Sequence, residues 1–584
     1  MNHPNAWTFS EENHKVIPES ETAISARLRR AGDFNRGAGR HRRQQTLPYY
    51  PDALKMIPSP ARIFATEDTP WALRANKLFY AVFAPLSLVL VIVAGLSLRW
   101  RAVHDLPIMM YFGFLMDRFG YIPYRDFFDF NLPGMHLAGL LIGRTVGYSD
   151  LGLRILDLGY LSAISVTTWF FLKKVGGKVA WAGTVLFGVS YLWYGPYLSL
   201  QREYFTILPL ALAVLVAFSY HRRRYWLKPA VVGLLFGIST TIKLHSVIGF
   251  PLVLWFLVRD QKGSRGLSAS SSPRVAQAIG GALVGFVVPL IMVFLYLWYH
   301  HALRPFWEIA SNYWPLYTGL AVNHQTVFGF TRVLYLVERY ASLGGHALWV
   351  MPAVAGFYIS IYHSRLVPTQ KRQVVLLGGM TVLYSLYPVA AGQFWSYHWL
   401  LFHYFILVVS SLCLVGQSPD INKLRRLFPV LALVFVIFLR IASPHQFLFQ
   451  KKYLSEVPKG GKVDEIAAFL QANLRPGDMV QPVDWTDGAV HAMLISRAQI
   501  ATRFVYAFSF YHHISSRYIK DLRREFIAGL HRAKPRFIIK MENGFPWVHG
   551  LDTTKDFADL DRFIAQYYTI AQEGNGYKIY ERAR

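Results

Sequence analysis

The stretch HDLPIMMYFGFLMDRFGYIPYRDFFDFNLPGMH, residues 104–136, follows the first long apolar run of the chain. It carries four aspartates, Asp105, Asp117, Asp126 and Asp129, among aromatic residues, prolines and glycines. A carboxylate beside a membrane-spanning helix is costly unless it is solvated or paired, so such acids are candidates for a functional site. The alternative for any one of them is an ordinary surface loop in which the acid is simply solvated.

Apolar runs surround this stretch on both sides. Of the 584 residues, 53% are hydrophobic and 16% are charged, whereas about 25% of the residues of a soluble protein are charged. Many of the runs approach the roughly 20 residues that a helix needs to cross a bilayer. The sequence therefore predicts a polytopic α-helical membrane protein.

Basic residues dominate the charge, with a formal net charge of +27. Much of this charge lies between apolar runs, where the positive-inside rule places it, so we expect anionic membrane lipids and no nucleic acid as partners. Residues 1–76 are polar and basic and are predicted to be a largely disordered cytoplasmic tail. The single cysteine, Cys413, excludes an internal disulfide and a cysteine-based metal site.

Two short helices are predicted after the first crossing, Leu78–Leu98. Leu106–Phe119 is typical of an amphipathic helix on the membrane surface, and Met135–Val146 is too short to cross comfortably. The lysines of LKKVGGK, residues 172–178, face the cytoplasm only if Met135–Val146 lies at the interface, and charge bias favours that arrangement.

The remaining apolar runs predict about eleven crossings in all, with the N-terminus inside and the C-terminus outside. They form a transmembrane module, 77–445, whose first outer loop is 99–150. An aromatic outer loop is predicted at His300–Pro315. The further crossings are Leu151–Leu172, Trp181–Pro196, Tyr204–Tyr220, Pro229–Ile242, Val247–Val258, Ala276–Tyr299, Ala347–Tyr362, Val374–Ala391, Tyr397–Val415 and Leu427–Ile441.

Residues 446–584 change in character. DEIAAFLQANLRPGD (464–478) has helical spacing and a proline–glycine stop, whereas DMVQPV (478–483) and RFIIKM (536–541) are typical of strands. DLDRFIAQYY predicts another helix and YKIYER a final strand. The alternation predicts a small α/β domain, which the crossing number places outside the membrane.

The predicted outer face collects acids together with cations. A carboxylate can accept the proton of an attacking hydroxyl as a general base, while Arg, Lys and His can hold a departing phosphate and stabilise its charge. This combination suits inverting sugar transfer from a lipid phosphate, which needs one base opposite the leaving group. The candidates are Asp105, Arg125, Asp126, Asp129, Arg202, Glu203, Lys243, His245, Tyr397 and His398.

The first outer loop also resembles that of glycosyltransferases with the GT-C fold, in particular the bacterial protein-O-mannosyltransferase and aminoarabinose-transferase group. The matching pieces are Asp105, then Gly120–Asp126 as a G-x-x-P-Y-x-D segment, then Leu132–Gly134 before a short helix. SDLGLRILDLG, residues 149–159, is similar to the start of that group's second helix. The resemblance implies a GT-C-like fold and transfer of a sugar from a polyprenyl monophosphate donor to a glycan, lipid or protein acceptor.

By the same resemblance Asp105 matches the catalytic base, and Asp126 is a second first-loop carboxylate with a catalytic role, supporting the acceptor or the base. Asp105 is followed by Leu106 rather than by the acid that many relatives carry, which weakens the expectation of a divalent metal but leaves it open. A turn-capping aspartate is the alternative for Asp126.

The other candidates are assigned to two groups. Lys243, His398, Arg202 and Tyr397 are expected to bind the donor phosphate, and Arg125, Asp129, Glu203 and His245 to support the acceptor or the base. Alternatives stay open: an Arg202–Glu203 pair that closes a loop, a Lys243 that reaches towards lipid headgroups, and a His398 that is a satisfied interfacial histidine.

Two other classes of function remain as rivals. A polyprenyl-linked lipid flippase or transporter would carry out no covalent chemistry, but transporters place charges near the bilayer midplane in two related halves, and no halves are visible here. A polymerase or ligase that uses a lipid pyrophosphate is also polytopic, but the first-loop motif argues against it. The resemblance implies the bacterial cytoplasmic membrane, with the active site on its outer, periplasmic face.

Overall fold

Helices form almost all of the described residues between Pro70 and Ile441. The structure is a computed structural model and describes residues 70–219, 226–263, 272–321, 324–418, 423–441, 457–542 and 546–583. The predicted cytoplasmic tail lies outside these ranges except for residues 70–76, which already belong to the first helix. Residues 446–456 of the predicted outer domain also lie outside them.

The helices of this part follow the apolar runs of the sequence closely. Short 3₁₀ turns extend several of them, for example Leu244–Gly249 and Ser396–Trp399. The α-helices are α1 (Pro70–Leu96), α2 (Leu106–Phe119), α3 (Pro133–Val146), α4 (Asp150–Leu172), α5 (Gly177–Trp193), α6 (Arg202–Phe218), α7 (Leu227–Ile242), α8 (Phe250–Gly263), α9 (Ser272–Tyr299), α10 (Leu303–Thr318), α11 (Gly329–Ala341), α12 (Val350–Tyr362), α13 (Pro368–Ser385), α14 (Tyr387–Ala391), α15 (Leu400–Ser410) and α16 (Lys423–Arg440).

Fewer helices than predicted are long enough to cross a bilayer alone. Within the described ranges five segments have the required length and hydropathy: Asn76–Arg99, Asp150–Leu172, Pro273–Tyr299, Pro368–Ala391 and Ser396–Leu414. A sixth is available if Gly329–Gly345 and Ala347–Tyr362, which meet at a bend of 67°, form one broken span. The chain is thus a multi-pass membrane protein, but the predicted number of about eleven crossings is not confirmed.

The two short helices of the first outer loop are present at nearly the predicted bounds, as α2 and α3. The exposed face expected of an amphipathic α2 is not observed, because every residue from Leu106 to Met116 is buried. Gly113 of α2 meets Gly139 of α3, and a Cβ on Gly113 would lie 2.5 Å from the carbonyl carbon of Gly139. This close crossing packs α2 into the protein.

The predicted outer loop at His300–Pro315 is also wrong, because most of it forms α10. Its buried residues Phe306, Ile309, Ala310 and Tyr313 recur every three or four positions, which is the spacing of one helix face. The abundance of aromatic residues concealed this periodicity. The following helix, α11, has no counterpart among the predicted elements.

The described residues after 457 build a five-stranded mixed sheet flanked by helices. The strands lie in the order β2 (Gln499–Ile500), β1 (Met479–Val483), β3 (Phe537–Met541), β5 (Tyr577–Arg582) and β4 (Tyr568–Gly574). β1 pairs in parallel with β2 and β3, whereas β5 is antiparallel to β3 and β4. The accompanying helices are α17 (Lys462–Asn473), α18 (Ala489–Ser496), α19 (Arg517–Ala533) and α20 (Ala558–Tyr567).

This sheet region packs directly on the first outer loop. The Tyr111 hydroxyl of α2 donates to the carbonyl of Ala498 at 2.8 Å, and the backbone N–H of Phe128 donates to the carbonyl of Arg503 at 2.7 Å. The described residues from Pro70 onward accordingly form one compact unit. The loop that carries the candidate acids is held between α3 and the C-terminal sheet region.

Candidate active site

Asp105 lies at the start of α2, where the chain turns from α1 into the first outer loop. Its side chain is buried, and Oδ2 accepts a hydrogen bond from Arg202 at 2.8 Å. His104 Nδ1 lies 3.1 Å from Oδ1, but without the alignment of a hydrogen bond, so Oδ1 has no hydrogen-bond partner within the described residues. One oxygen of Asp105 is anchored, and the other is available to accept a proton.

The surroundings keep Asp105 ionised. Burial by itself opposes ionisation, but His104, Arg202 and Lys243 together outweigh it and hold the pKa of Asp105 well below its ordinary value. His104 adopts a left-handed backbone conformation with φ of 60°. For a residue other than glycine this is uncommon, and such backbone strain is often found at functional sites.

Glu203 organises the second half of the site. Its carboxylate is fully buried at the start of α6, and Oε1 accepts from the Tyr387 hydroxyl at 3.1 Å. Lys243 Nζ lies 3.1 Å and His398 Nε2 3.4 Å from the same oxygen. One carboxylate thus gathers polar groups from three separate parts of the chain.

Arg202 joins the two halves, because it precedes Glu203 in sequence and pairs with Asp105. It also bonds to the side-chain oxygen of Asn131, and its guanidinium lies 5.8 Å from the centre of the Tyr397 ring. His245 is at the edge of this group, with its ring centre 5.6 Å from that of Tyr387. The structure therefore brings Asp105, Arg202, Glu203, Lys243, His245, Tyr397 and His398 into one cluster. We call it the outer cluster, after the side of the membrane that the sequence predicts for it.

Buried polar atoms without a partner are concentrated in the outer cluster. Buried polar groups in native proteins nearly always have a partner in the protein or in ordered water. Several buried polar atoms without a partner close together indicate a site where water or a ligand supplies the missing hydrogen bonds. In the outer cluster the buried atoms without a hydrogen-bond partner among the described residues are Asp105 Oδ1, Arg202 Nε, Glu203 Oε2, His245 Nδ1 and His398 Nδ1, and Oε1 of the adjacent Gln201 is another.

Asp126 and Arg125 are not part of this cluster. Asp126 Oδ2 accepts from the backbone N–H of Ile122 at 2.8 Å, and the Asp126 N–H donates to the carbonyl of Ile122. Arg125 pairs with Asp126 at 2.8 Å and donates to the carbonyl of His300. These contacts are those of a turn-capping aspartate, and they give no support to a catalytic Asp126, which stays a prediction.

Asp129 is buried and satisfied by its neighbours. It accepts from His136 at 2.7 Å, from the Tyr506 hydroxyl at 2.8 Å and from the amide of Asn131. Burial opposes its ionisation, but the hydrogen bonds from His136 and Tyr506 outweigh that cost and lower its pKa. Its contacts are structural, although Asn131 connects it to Arg202.

Three residues of the site were missed by sequence reasoning. His104 and Asn131 lie in the first-loop stretch, where proximity to Asp105 and Asp129 was the available signal. Tyr387 lies inside an apolar run, and the sequence carries no sign that its hydroxyl reaches Glu203.

The donor set does not fit a divalent metal. Among the described residues no group of three or more His, Cys, Asp or Glu side chains is placed to hold one. The carboxylate of Asp105 is instead bonded by Arg202 and approached by His104.

Comparison with known proteins finds a solved structure that is similar to this chain, but no sequence match. No protein-family model and no curated protein sequence matches the chain. Among solved structures, ArnT from Cupriavidus metallidurans bound to undecaprenyl phosphate matches with a TM-score of 0.52 and 12% sequence identity. The match covers 86% of this chain and 98% of ArnT.

The chain has the GT-C fold. The fold expected from the first-loop resemblance is thereby confirmed over most of the chain. At this low identity the match shows the fold alone, and fold by itself does not fix function. The chemistry has to be argued from the outer cluster.

Proposed function

We propose that this protein transfers a sugar from a polyprenyl monophosphate donor to an acceptor hydroxyl, with inversion at the anomeric carbon. The observation that carries the proposal is Asp105 Oδ1, which lies 3.1 Å from His104 Nδ1 but accepts no hydrogen bond within the described residues, beside cations that Asp105 and Glu203 hold in place. This arrangement supplies a proton acceptor and a phosphate-binding group within one buried cluster.

The proposed step forms one bond and breaks another. The acceptor oxygen attacks the anomeric carbon from the face opposite the phosphate, and its proton passes to Asp105 Oδ1. The bond between the anomeric carbon and the phosphate oxygen breaks, and the polyprenyl phosphate departs with the electron pair. The low pKa of Asp105 makes it a weak base, so it receives the proton late, when the attacking hydroxyl has become acidic.

Charge development explains the role of the cations. The donor phosphodiester carries one negative charge, and the departing phosphate monoester gains a second. The two carboxylates Asp105 and Glu203 balance Arg202 and Lys243 in the free protein, and protonation of Asp105 leaves the cluster more positive as the phosphate becomes more negative. Arg202, Lys243 and His398 are therefore suited to stabilise the leaving group.

The donor class and the location are supported by independent observations. ArnT, which shares the fold, was crystallised with undecaprenyl phosphate. The lysine-rich end of α4 lies a full helix length from Asp150 at its start, and the positive-inside rule assigns those lysines to the cytoplasm. We infer that the outer cluster faces the periplasm from the bacterial cytoplasmic membrane, and that the acceptor is a glycan, a lipid or a protein.

The test is transfer of labelled sugar from a panel of synthetic polyprenyl-phospho-sugars by the purified full-length protein. We expect Asp105→Asn to lower turnover by about 10²–10⁴-fold, the usual contribution of general acid–base catalysis, while the donor lipid still binds. Asp117→Asn is the matched control, because Asp117 lies in α2 and pairs with Arg144 instead.

Two outcomes would overturn the proposal. Equal turnover of the wild type and Asp105→Asn would remove Asp105 from the chemistry and direct attention to Asp126 and Glu203. No turnover with any donor, together with movement of labelled lipid across vesicles, would favour a flippase.

A further inference from the structure

A groove of about 480 Å³ lies apart from the outer cluster, where α1 ends and α4 begins. Its walls come from the segment after α1, from α2 and α3, and from α18 of the C-terminal region. Both α1 and α4 are long and apolar enough to cross the membrane. The groove therefore lies at the level where two spans leave the bilayer.

Arginines dominate the charge of this groove. Arg101, Arg118 and Arg497 line it, and Asp150 is the one acid among its lining residues. Arg101 is already paired with Asp150 at 2.6 Å and with Asp464 at 2.8 Å, which leaves the other two arginines to set the charge of the groove.

Arg118 and Arg497 form at most weak ion pairs within the described residues. Arg118 lies 3.5 Å from Asp117, and that carboxylate is shared with Arg144 at 3.0 Å. Arg497 is exposed at the end of α18 and has no ion-pair partner within the part of the chain that the structure describes. Two exposed guanidinium groups with spare donors form a site that favours a phosphate.

Apolar side chains and one unused hydroxyl form much of the remaining wall of the groove. Phe114 of α2 contributes an aromatic surface, and Leu494 and Ile495 of α18 contribute aliphatic surface. The Tyr148 hydroxyl is buried and has no hydrogen-bond partner within the described residues. Cationic and apolar walls in one groove fit a ligand with a charged head and a hydrocarbon tail.

We propose that this groove binds an anionic phospholipid of the outer leaflet, with its phosphodiester on Arg118 and Arg497 and its acyl chains along Phe114, Leu494 and Ile495. The position of the groove at the ends of two candidate spans, its two exposed arginines and its apolar wall all favour this ligand. A lipid held there would contact both the first outer loop and α18 and would fasten the C-terminal region to the membrane surface. The proposal is independent of the sugar-transfer activity.

The test compares lipid retention by the purified full-length protein. Native mass spectrometry would count bound phosphatidylglycerol and phosphatidylcholine for the wild type and for the double variant Arg118→Gln, Arg497→Gln. We expect the wild type to retain phosphatidylglycerol preferentially and the variant to retain about tenfold less, because each basic residue near an anionic headgroup strengthens binding appreciably. Phosphatidylcholine retention should be equally low in both.

The double variant Arg517→Gln, Arg524→Gln removes two exposed arginines of α19 outside the groove and should behave as the wild type. Equal retention of phosphatidylglycerol by the groove variant and the wild type would overturn the proposal, as would loss in the α19 control to the same extent. Displacement of the bound lipid by inorganic phosphate at equal concentration would assign the site to free phosphate and also overturn it.

Discussion

Glu203 shows at the scale of one residue how the outer cluster is held together. Removing one partner of a buried ion pair costs about 3–5 kcal/mol, because the other charge remains buried and unpaired. We therefore expect Glu203→Gln and Lys243→Met each to lower the thermal stability of the purified protein. The double variant should be more stable than the sum of the two single effects predicts, since it leaves neither charge unpaired. Thermal unfolding at a fixed scan rate measures all four proteins.

This comparison also separates the two interpretations of Lys243. A lysine that merely reaches towards lipid headgroups would show no coupling to Glu203, and strictly additive effects would therefore contradict the contact at 3.1 Å. Lys243→Met alone should in addition weaken binding of the donor phosphate, whereas a headgroup-seeking lysine would leave it unchanged.

The pH dependence of transfer is a second prediction for a single residue. The pKa of Asp105 is depressed in the folded protein, so its stabilising contribution is complete above the unfolded pKa of about 3.9 and is lost as the pH falls through the lower folded value. Asp105 should thus stay ionised between about pH 5 and 8 and contribute no acidic limb to kcat/KM there. In the wild type the acidic limb due to Asp105 should therefore lie below about pH 5. Arg202→Gln removes a cation that lowers the pKa of Asp105 and should shift this limb to higher pH, each profile being normalised to its own maximum. A limb at the same pH in both proteins would contradict the pairing.

Sequence reasoning named most residues that the structure brings into the outer cluster, but not their arrangement. Asp105 was recognisable because an acid immediately after an apolar run is costly, and Lys243 because it ends a crossing on the side where lysines are less expected. Glu203 was expected to support the acceptor, whereas the structure places it as the partner of Lys243 and His398. That pairing joins residues far apart in the chain, so no local pattern could predict it.

At the scale of elements, the crossing of α2 and α3 determines where the candidate base is placed. Gly113→Ala would put a Cβ 2.5 Å from the backbone of Gly139, which forces the helices apart. We expect a loss of stability of about 1–3 kcal/mol, as for overpacking in a core, and a parallel loss of transfer activity. Gly95→Ala is the matched control, because a Cβ at Gly95 of α1 meets nothing within 4 Å. Equal melting temperatures of the two variants would show that the crossing is not tight.

The bounds of the long apolar helices could be predicted from the sequence, but the elements against which helices pack could not. α4 was expected at Leu151–Leu172 and is found at Asp150–Leu172, because the hydropathy that drives a helix into a bilayer is a local property. The burial of α2 and the helical state of α10 depend instead on partners elsewhere, including the C-terminal sheet region. The short strand β2 could likewise not be predicted from the sequence, since two residues show no periodic pattern.

For the whole molecule, hydrogen bonds connect the C-terminal region to the candidate base. The Tyr506 hydroxyl donates to Asp129, Asn131 donates to the same carboxylate, and Arg202 bonds to both Asn131 and Asp105. The described C-terminal region thus does more than cover the site. It fixes the position of a segment of the first outer loop, and through that segment the arginine that orients Asp105.

The orientation of the whole chain in the membrane is the last prediction. Arg517 in α19 is almost fully exposed, and Lys173 is exposed at the end of α4 remote from Asp150. Because the only native cysteine, Cys413, is buried, a membrane-impermeant maleimide should label Arg517→Cys in intact spheroplasts and Lys173→Cys only after permeabilisation. The wild type should remain unlabelled in both conditions. Labelling of Lys173→Cys before permeabilisation, with Arg517→Cys protected, would invert the topology, place the outer cluster on the cytoplasmic face and require a donor carried on the inner leaflet.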